Sequence, residues 1–594
     1  MKDHSSSTLP RGLLLLLLLL LAVHAAILVW AASGPLAIDR QDHRWIEFAR
    51  VTLVSLAVCG AALAWFGRHT RMIYIVASVT AAAALLTPGA VTVVALCLLN
   101  AHVIGTRLLR FSRIPDHRGV TLPWTIPILV GIAVWIGLLC ATGAFKIHYA
   151  PVYVLALLGP LVFAWPEVIA AITRLRAFVS ATESYSGTER GWIALLLTML
   201  ALHLFIVARP EVGYDASTMH LQFVALVNDE HRWRFDVGRY AWAVMPMGAD
   251  WAYAVAYVLG GENAARAANL SFGMLAAVLV YQLVRRHARR ELALASVCLL
   301  VSIPLAFAET GSLYVENLWS AFLLGALLVT LRLREGSLGW QAGWPLLTLL
   351  AAGAMQCKVI GVLWLGPLFA YALFVCIRRP PPRATNARGA LLVVLAAVIA
   401  AWPYANAWLR TGNPVFPFMN SVFRSPLADT AASFTNPLYS IPLRPWSLYE
   451  VLTDGHRFIE GADGAAGFHW LLLIALILVA ALRRRHADFW VCAVLATVFF
   501  IAVYSQQAYL RYLVPAFMLL AILGGWAATD LGERRLTRIA MLVVGAVLCA
   551  LHVTLMHTGA WANAQLCESC AFDAQKRREF TSSCLLYTSP SPRD

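Results

Sequence analysis

Apolar runs of about 17 to 25 residues recur from Leu13 almost to His557, the length an α-helix needs to cross roughly 30 Å of hydrocarbon. Inside a bilayer a backbone can satisfy its own hydrogen bonds only as helices or as a closed barrel, and barrel strands alternate apolar with polar residues. These runs do not alternate. The chain therefore reads as an all-α, polytopic integral membrane protein. With 60% hydrophobic and 13% charged residues among 594, too little polar surface remains to cover a soluble core of that size.

Spans are expected at about 13–30, 48–67, 72–87, 90–109, 122–143, 150–173 and 190–208, then at about 266–284, 291–308, 313–331, 341–356, 359–377 and 388–409, and finally at about 468–482, 488–504, 510–529 and 539–556. That makes about seventeen transmembrane helices. Trp251 to Leu259, short and aromatic, reads as a helix lying at the membrane interface. The regions follow from this pattern: 1–189 is an N-terminal six-helix membrane region, 190–530 a transmembrane core with polar loops at 209–247 and 410–468, and 531–581 a final helix and tail. Residues 582–594, SSCLLYTSPSPRD from Ser582, read as non-native read-through.

The formal charge of +15 raises the question of nucleic acid, and the placement of the charge answers it. Arginines fall in short loops at regular intervals, among them Arg107, Arg110 and Arg113, then Arg285 to Arg290, then Arg534, Arg535 and Arg538. This is the positive-inside pattern, with membrane lipid headgroups as the partners and no nucleic acid. Crossings counted from a cytoplasmic N-terminus put the 209–247 loop outside, so loop charge and parity agree. The cysteines lie mostly within apolar runs, and the one CxxC, Cys567 and Cys570, is weak evidence for a metal or redox centre.

The loop from Arg209 to Met247 is the first long polar interruption, and it carries Asp215, His220, Asp229, Glu230, His231 and Asp236. Ionisable groups held against a bilayer cost desolvation energy and so call for a reason. Asp215 in Gly213-Tyr214-Asp215 fits a helix N-cap, accepting from the amide of Ser217 or Thr218, and a capped carboxylate is also held as a general base must be. His220 lies five residues on, about 140° around a helix, so spacing gives no pair between the two. Lys358 and Arg511 stand at the ends of expected spans, where each can snorkel to the interface, pair with Glu309 or Glu316, or meet a lipid phosphate. His456, Glu460, Asp463 and His469 form a second polar cluster in which a divalent metal is a minority reading. No cofactor is called for by any motif: P-loop, GxSxG and HExxH are absent from the sequence.

A family resemblance then becomes specific. YDASTMHLQ from Tyr214, the Met-Pro-Met-Gly stretch ending at Gly248, YVENLWSAFL from Tyr314, GAMQCKVIGVL from Gly353, GNPVFPFMN from Gly412 and LRYLVPAFMLLA from Leu510 occur in that order. Together they resemble the GT-C-fold bacterial membrane glycosyltransferases, the superfamily of the protein O-mannosyltransferases and the aminoarabinose transferases. The likeness covers roughly 190–530 and leaves the six N-terminal helices outside it. It implies a catalytic base at Asp215. In place of the second acid that commonly follows the first, Ala216 stands here, so a paired-acid or metal arrangement is not favoured. Glu316 matches a position that often holds an acid and is the candidate second acid. Tyr214, His220, Lys358, Arg511 and Tyr512 are the candidate substrate-binding residues.

The implied chemistry is self-consistent. A sugar on polyprenyl phosphate leaves a phosphate, which needs a cation nearby, so one carboxylate to take the acceptor's proton suffices; a glycosidase needs two. The expectation is a membrane glycosyltransferase of the bacterial inner (plasma) membrane that moves a hexosyl or pentosyl group from a polyprenyl-phosphate-linked sugar to an unidentified lipid, glycan or protein acceptor, its site extracytoplasmic. The rival class is a transporter or flippase for a lipid-linked glycan, which should carry ionisable groups at mid-membrane in broken helices and internal repeats. A glycan polymerase or ligase differs chiefly in its acceptor.

Overall fold

The computed structural model describes residues 69–112, 122–379, 387–431, 441–459, 461–483, 486–506, 509–531, 534–556 and 575–580, with 58, 60–62, 570 and 573. The spans expected at 13–30 and, nearly throughout, at 48–67 lie outside these residues, as do Glu460, Cys567 and the 582–594 tail. Helices dominate: α1 (Thr70–Leu86), α2 (Pro88–Phe111), α3 (Thr125–Thr142), α4 (Ala150–Phe163), α5 (Trp165–Ser180), α6 (Gly187–Val207), α7 (Leu221–Glu230), α8 (Gly248–Val284), α9 (Arg290–Val301), α10 (Pro304–Gly311), α11 (Glu316–Glu335), α12 (Trp340–Cys357), α13 (Val362–Arg378), α14 (Ala387–Thr411), α15 (Ser447–Thr453), α16 (His469–Leu482), α17 (Ala487–Gln506), α18 (Val514–Ala527) and α19 (Arg535–Thr554).

The expected count of seventeen spans is not confirmed. Among the described residues ten helices are long and apolar enough to cross a membrane, or up to twelve if each bent pair forms one span. Two expected straight spans are bent: α4 meets α5 at 84°, and α9 meets α10 at 68°. Prolines open the second helix of each pair, Pro166 in the first turn of α5 and Pro304 at the start of α10, where a missing amide is harmless, and Ile303 before Pro304 is extended. Two further expected spans, α1 and α16, are only 17 and 14 residues long.

The expected interfacial helix is also corrected. Trp251 to Leu259 opens the 37-residue α8, which bends at Gly261 (φ 70°), and Trp251 and Tyr253 are fully buried. Gly261 supplies the left-handed backbone that lets one helix follow another at that point. The aromatic residues pack inward: Phe223 sits edge-on to Trp251 with centroids 4.9 Å apart, and His148 lies 5.0 Å from the same ring.

At the centre stands α11, nearly every residue of which is buried. It packs on α8, α12 and α13, while α2 and α3 wrap α8 from the N-terminal side. Close passage of α2 and α3 depends on two glycines: a Cβ at Gly105 would come within 1.9 Å of the Pro127 carbonyl oxygen, and one at Gly131 within 1.9 Å of that of Ala101. Side by side, α6, α8, α9, α18 and α1 leave a cavity of about 530 Å³ between them, lined mostly by apolar residues.

Candidate active site

The site gathers where several helices begin. After α6 the chain runs through Glu211 and Gly213, and the Glu211 carboxylate fastens that turn to the segment before α11: one oxygen accepts from the Gly213 amide at 2.9 Å, the other from the Leu313 amide at 2.8 Å. The approach is close, and a Cβ on Gly213 would lie 2.9 Å from the Ser312 hydroxyl. Burial pushes the Glu211 carboxyl up, against the pull of the Arg266 guanidinium and the two amides. The segment from Glu309 to Asn317 is fixed from its other side. Asn269 donates to the carbonyls of Glu309 at 2.7 Å and Ser312 at 2.5 Å, Asn317 donates to Asn269 Oδ1 at 3.0 Å, and the Tyr253 hydroxyl donates to the Tyr314 carbonyl at 2.7 Å. A buried network satisfied in this way holds whatever it carries within a narrow range of positions.

It carries Glu316 at the first turn of α11, where the helix's positive end favours a carboxylate. Glu316 is fully buried and sits between two cations, Lys358 Nζ in direct ion-pair contact and Arg511 Nε at 3.5 Å. Lys358 stands in extended backbone between α12 and α13, its ammonium 3.5 Å from the centroid of the Tyr512 ring. Arg511 opens the 3₁₀ turn Arg511–Leu513 that leads into α18. Its guanidinium lies 4.5 Å from the centroid of Tyr314 and 5.5 Å from that of Tyr509, and one terminal nitrogen pairs directly with Asp215. The pairing with Glu316 offered by the sequence for both cations is thus present.

Asp215 differs from its expected setting. The helix begins before it, no side-chain cap bond forms, and residues Ala216–His220 make a π-helical turn. With no cap to serve, the carboxylate, about one-third exposed, goes to Arg511. Inserted π turns recur at functional sites because they re-aim side chains that a regular helix would misplace. Here the turn delivers His220 to a partner the sequence did not reveal: His220 Nδ1 lies 2.6 Å from Asp250 Oδ1 in the first turn of α8, both residues buried. Asp250 was hidden because it precedes Trp251 in a stretch read as interfacial. An acid followed by residues that pack inward was the available signal.

Of the sequence candidates, Asp215, His220, Glu316, Lys358, Arg511 and Tyr512 therefore converge, and Tyr214, next to Asp215 in the chain, has a side chain 67% exposed. The second polar cluster does not converge: His456 pairs with Asp463 at 2.7 Å on the surface, and His469 is buried against His552 with ring centroids 5.0 Å apart. One trio among the described residues, His287, His486 and Asp488, brings potential metal-ligand atoms within 4.8 Å of one another. Asp488 is already held by Arg286 at 2.9 Å and Arg334 at 2.7 Å, so a metal ion there would meet two guanidinium charges.

Many apolar helices around a buried charge cluster at their ends define an integral membrane protein with a polar site. Over residues 244–404 the chain matches the family described as dolichyl-phosphate-mannose-protein mannosyltransferase. That match takes in about a quarter of the chain, and it agrees with the resemblance carried by the motif order. Two solved structures of ArnT from Cupriavidus metallidurans also match. The apo form has 16% identity and a TM-score of 0.45, with 64% of this chain and 78% of that one covered. The form bound to undecaprenyl phosphate has 14% identity and a TM-score of 0.40, covering 69% and 82%. No curated protein matches the chain.

Proposed function

We propose that the protein transfers a sugar from a polyprenyl-phosphate donor to the hydroxyl of an acceptor, at a site on the extracytoplasmic face of the bacterial inner membrane. The observation that carries this reading is the arrangement of two fixed cations, Arg511 and Lys358, around one buried carboxylate, with a second, partly exposed carboxylate bound to the same arginine. A departing phosphate needs cations held in place before it forms, since preorganised charge in a water-poor site stabilises a transition state without reorganisation. Arg511 can offer two parallel donors to phosphate oxygens, and Lys358 adds a point charge.

Asp215 takes the acceptor's proton in this scheme. In the unliganded arrangement it shares Arg511, and a phosphate that draws on the same guanidinium weakens that hold and leaves a freer base. Glu316 stays in place and keeps the two cations from repelling each other. The cavity beneath suits a long apolar chain: Asn317 and Val514 line it, each close in sequence to a site residue, Glu316 and Arg511. An opening of that size, lined mostly by apolar side chains, suits hydrocarbon better than water. A transporter would place its ionisable site at mid-span, whereas Asp215, Glu316 and Arg511 sit at helix starts. Dependence on a divalent metal is not part of the proposal.

The test is transfer of radiolabelled sugar from polyprenyl-phosphate donors by the purified protein in lipid. Transfer by wild type and its loss by roughly a hundredfold or more in Asp215→Asn supports the assignment; label that crosses the membrane without covalent transfer would favour the flippase reading.

A further inference from the structure

The His220–Asp250 pair is not used in this scheme. Its Nδ1 is committed to Asp250, and among the described residues no protein group hydrogen-bonds its Nε2. A ring 5% exposed with one nitrogen tied and one open is an arrangement for binding something else. Tyr314 carries Arg511 on its face and meets the His220 ring edge-on, centroids 6.4 Å apart, so the imidazole belongs to the same cluster.

Building on the reading above, we propose that His220 is a third ligand for the donor's phosphate, a cationic N–H donor beside Arg511 and Lys358, with Asp250 as the positioning residue that fixes its tautomer and charge. Burial works against a charged imidazole, but the Asp250 carboxylate outweighs it and raises the ring's pKa. The groups that act on it are Asp250 from α8, Tyr314 and Glu316 at the start of α11, and Arg511 before α18, with Lys358 and Asp215 joined to the cluster through Glu316 and Arg511. Glu316 favours the charged ring and Arg511 opposes it. Because the pKa is raised, the charged form dominates below it, and the contribution to phosphate binding is lost as pH rises through it.

Binding of farnesyl phosphate to the folded protein across a pH series that starts above the phosphate's own second pKa of about 6 provides the test, since the monoester is already doubly ionised there. Wild type should weaken with rising pH. In His220→Gln that dependence should vanish and affinity at the acidic end of the series fall by about tenfold or more, the usual scale for a charged hydrogen bond. Asp250→Asn should keep the dependence but move it to lower pH. A merely structural tie between α7 and α8 would instead lower the melting temperature of both variants while leaving the pH profile of binding as in wild type, and that result overturns the proposal. Failure of folded wild type to bind farnesyl phosphate overturns it together with the donor reading. Binding with the expected profiles but no sugar transfer would sink the transferase reading alone.

Discussion

Helix α11 joins two buried charge clusters that look alike and differ in one respect. At its start Glu316 lies between Lys358 and Arg511; at its end, about 30 Å away for 20 residues, Arg334 and Glu335 join Arg286 and His287 around Asp488. In both, a carboxylate at a helix start is fully buried and held by basic side chains, two around Glu316 and three around Asp488. Around Asp488 the ligands face one another, with His287 at 2.7 Å, Arg286 and Arg334 in place, and the two histidines stacked 3.5 Å apart. The Glu316 cluster has capacity left over: Asp215 is partly exposed and His220 keeps an open nitrogen. A closed cluster staples helices together, and an open one can also receive a ligand.

Substitutions that treat the two ends alike should therefore part them. The largest effect is expected for Glu316→Gln, which leaves Arg511 and Lys358 without their shared anion. Removing one partner of a buried pair costs roughly 3–5 kcal/mol, so the melting temperature should drop, and turnover per folded molecule should drop with it. Asp488→Asn should cost similar stability by the same reasoning, yet leave turnover per folded molecule near wild type. Loss of turnover without loss of stability in the Asp488 variant would break the comparison. Asp215→Asn, about one-third exposed and not a cap, should do the converse, with turnover down roughly a hundredfold and little change in melting.

The sequence made the frame and several site members legible because both leave marks in composition. A long apolar run marks a crossing, and α2, α3, α6, α11, α13, α14 and α17 lie where the runs put them. Lys358 and Arg511 stand out because a charge at the end of such a run is costly. The Arg-rich loops were legible as a pattern but not in detail. Arg290 binds Glu189 at 2.8 Å and Glu183 at 2.9 Å, and Arg538 binds Glu291 at 2.5 Å, so part of that basic charge is spent on acids of the protein itself and not on headgroups. Bends were missed because hydropathy does not register direction, although Pro166 and Pro304 were in view. The His220–Asp250 pair was illegible for a different reason: it rests on a π turn, which shifts helical phase, and on Trp251 packing inward, which depends on neighbours far along the chain.

The open cluster's claim to a lipid phosphate is tested most directly by Arg511→Lys, with turnover on a polyprenyl-phosphate sugar and melting temperature read from the same preparation. Lysine retains the charge that Asp215 and Glu316 need but loses the planar fork that suits a phosphate. If Arg511 grips the leaving phosphate, turnover should fall about tenfold while melting stays near wild type. Unchanged turnover per folded molecule together with a lowered melting temperature would make Arg511 a structural partner of the two acids and contradict the account.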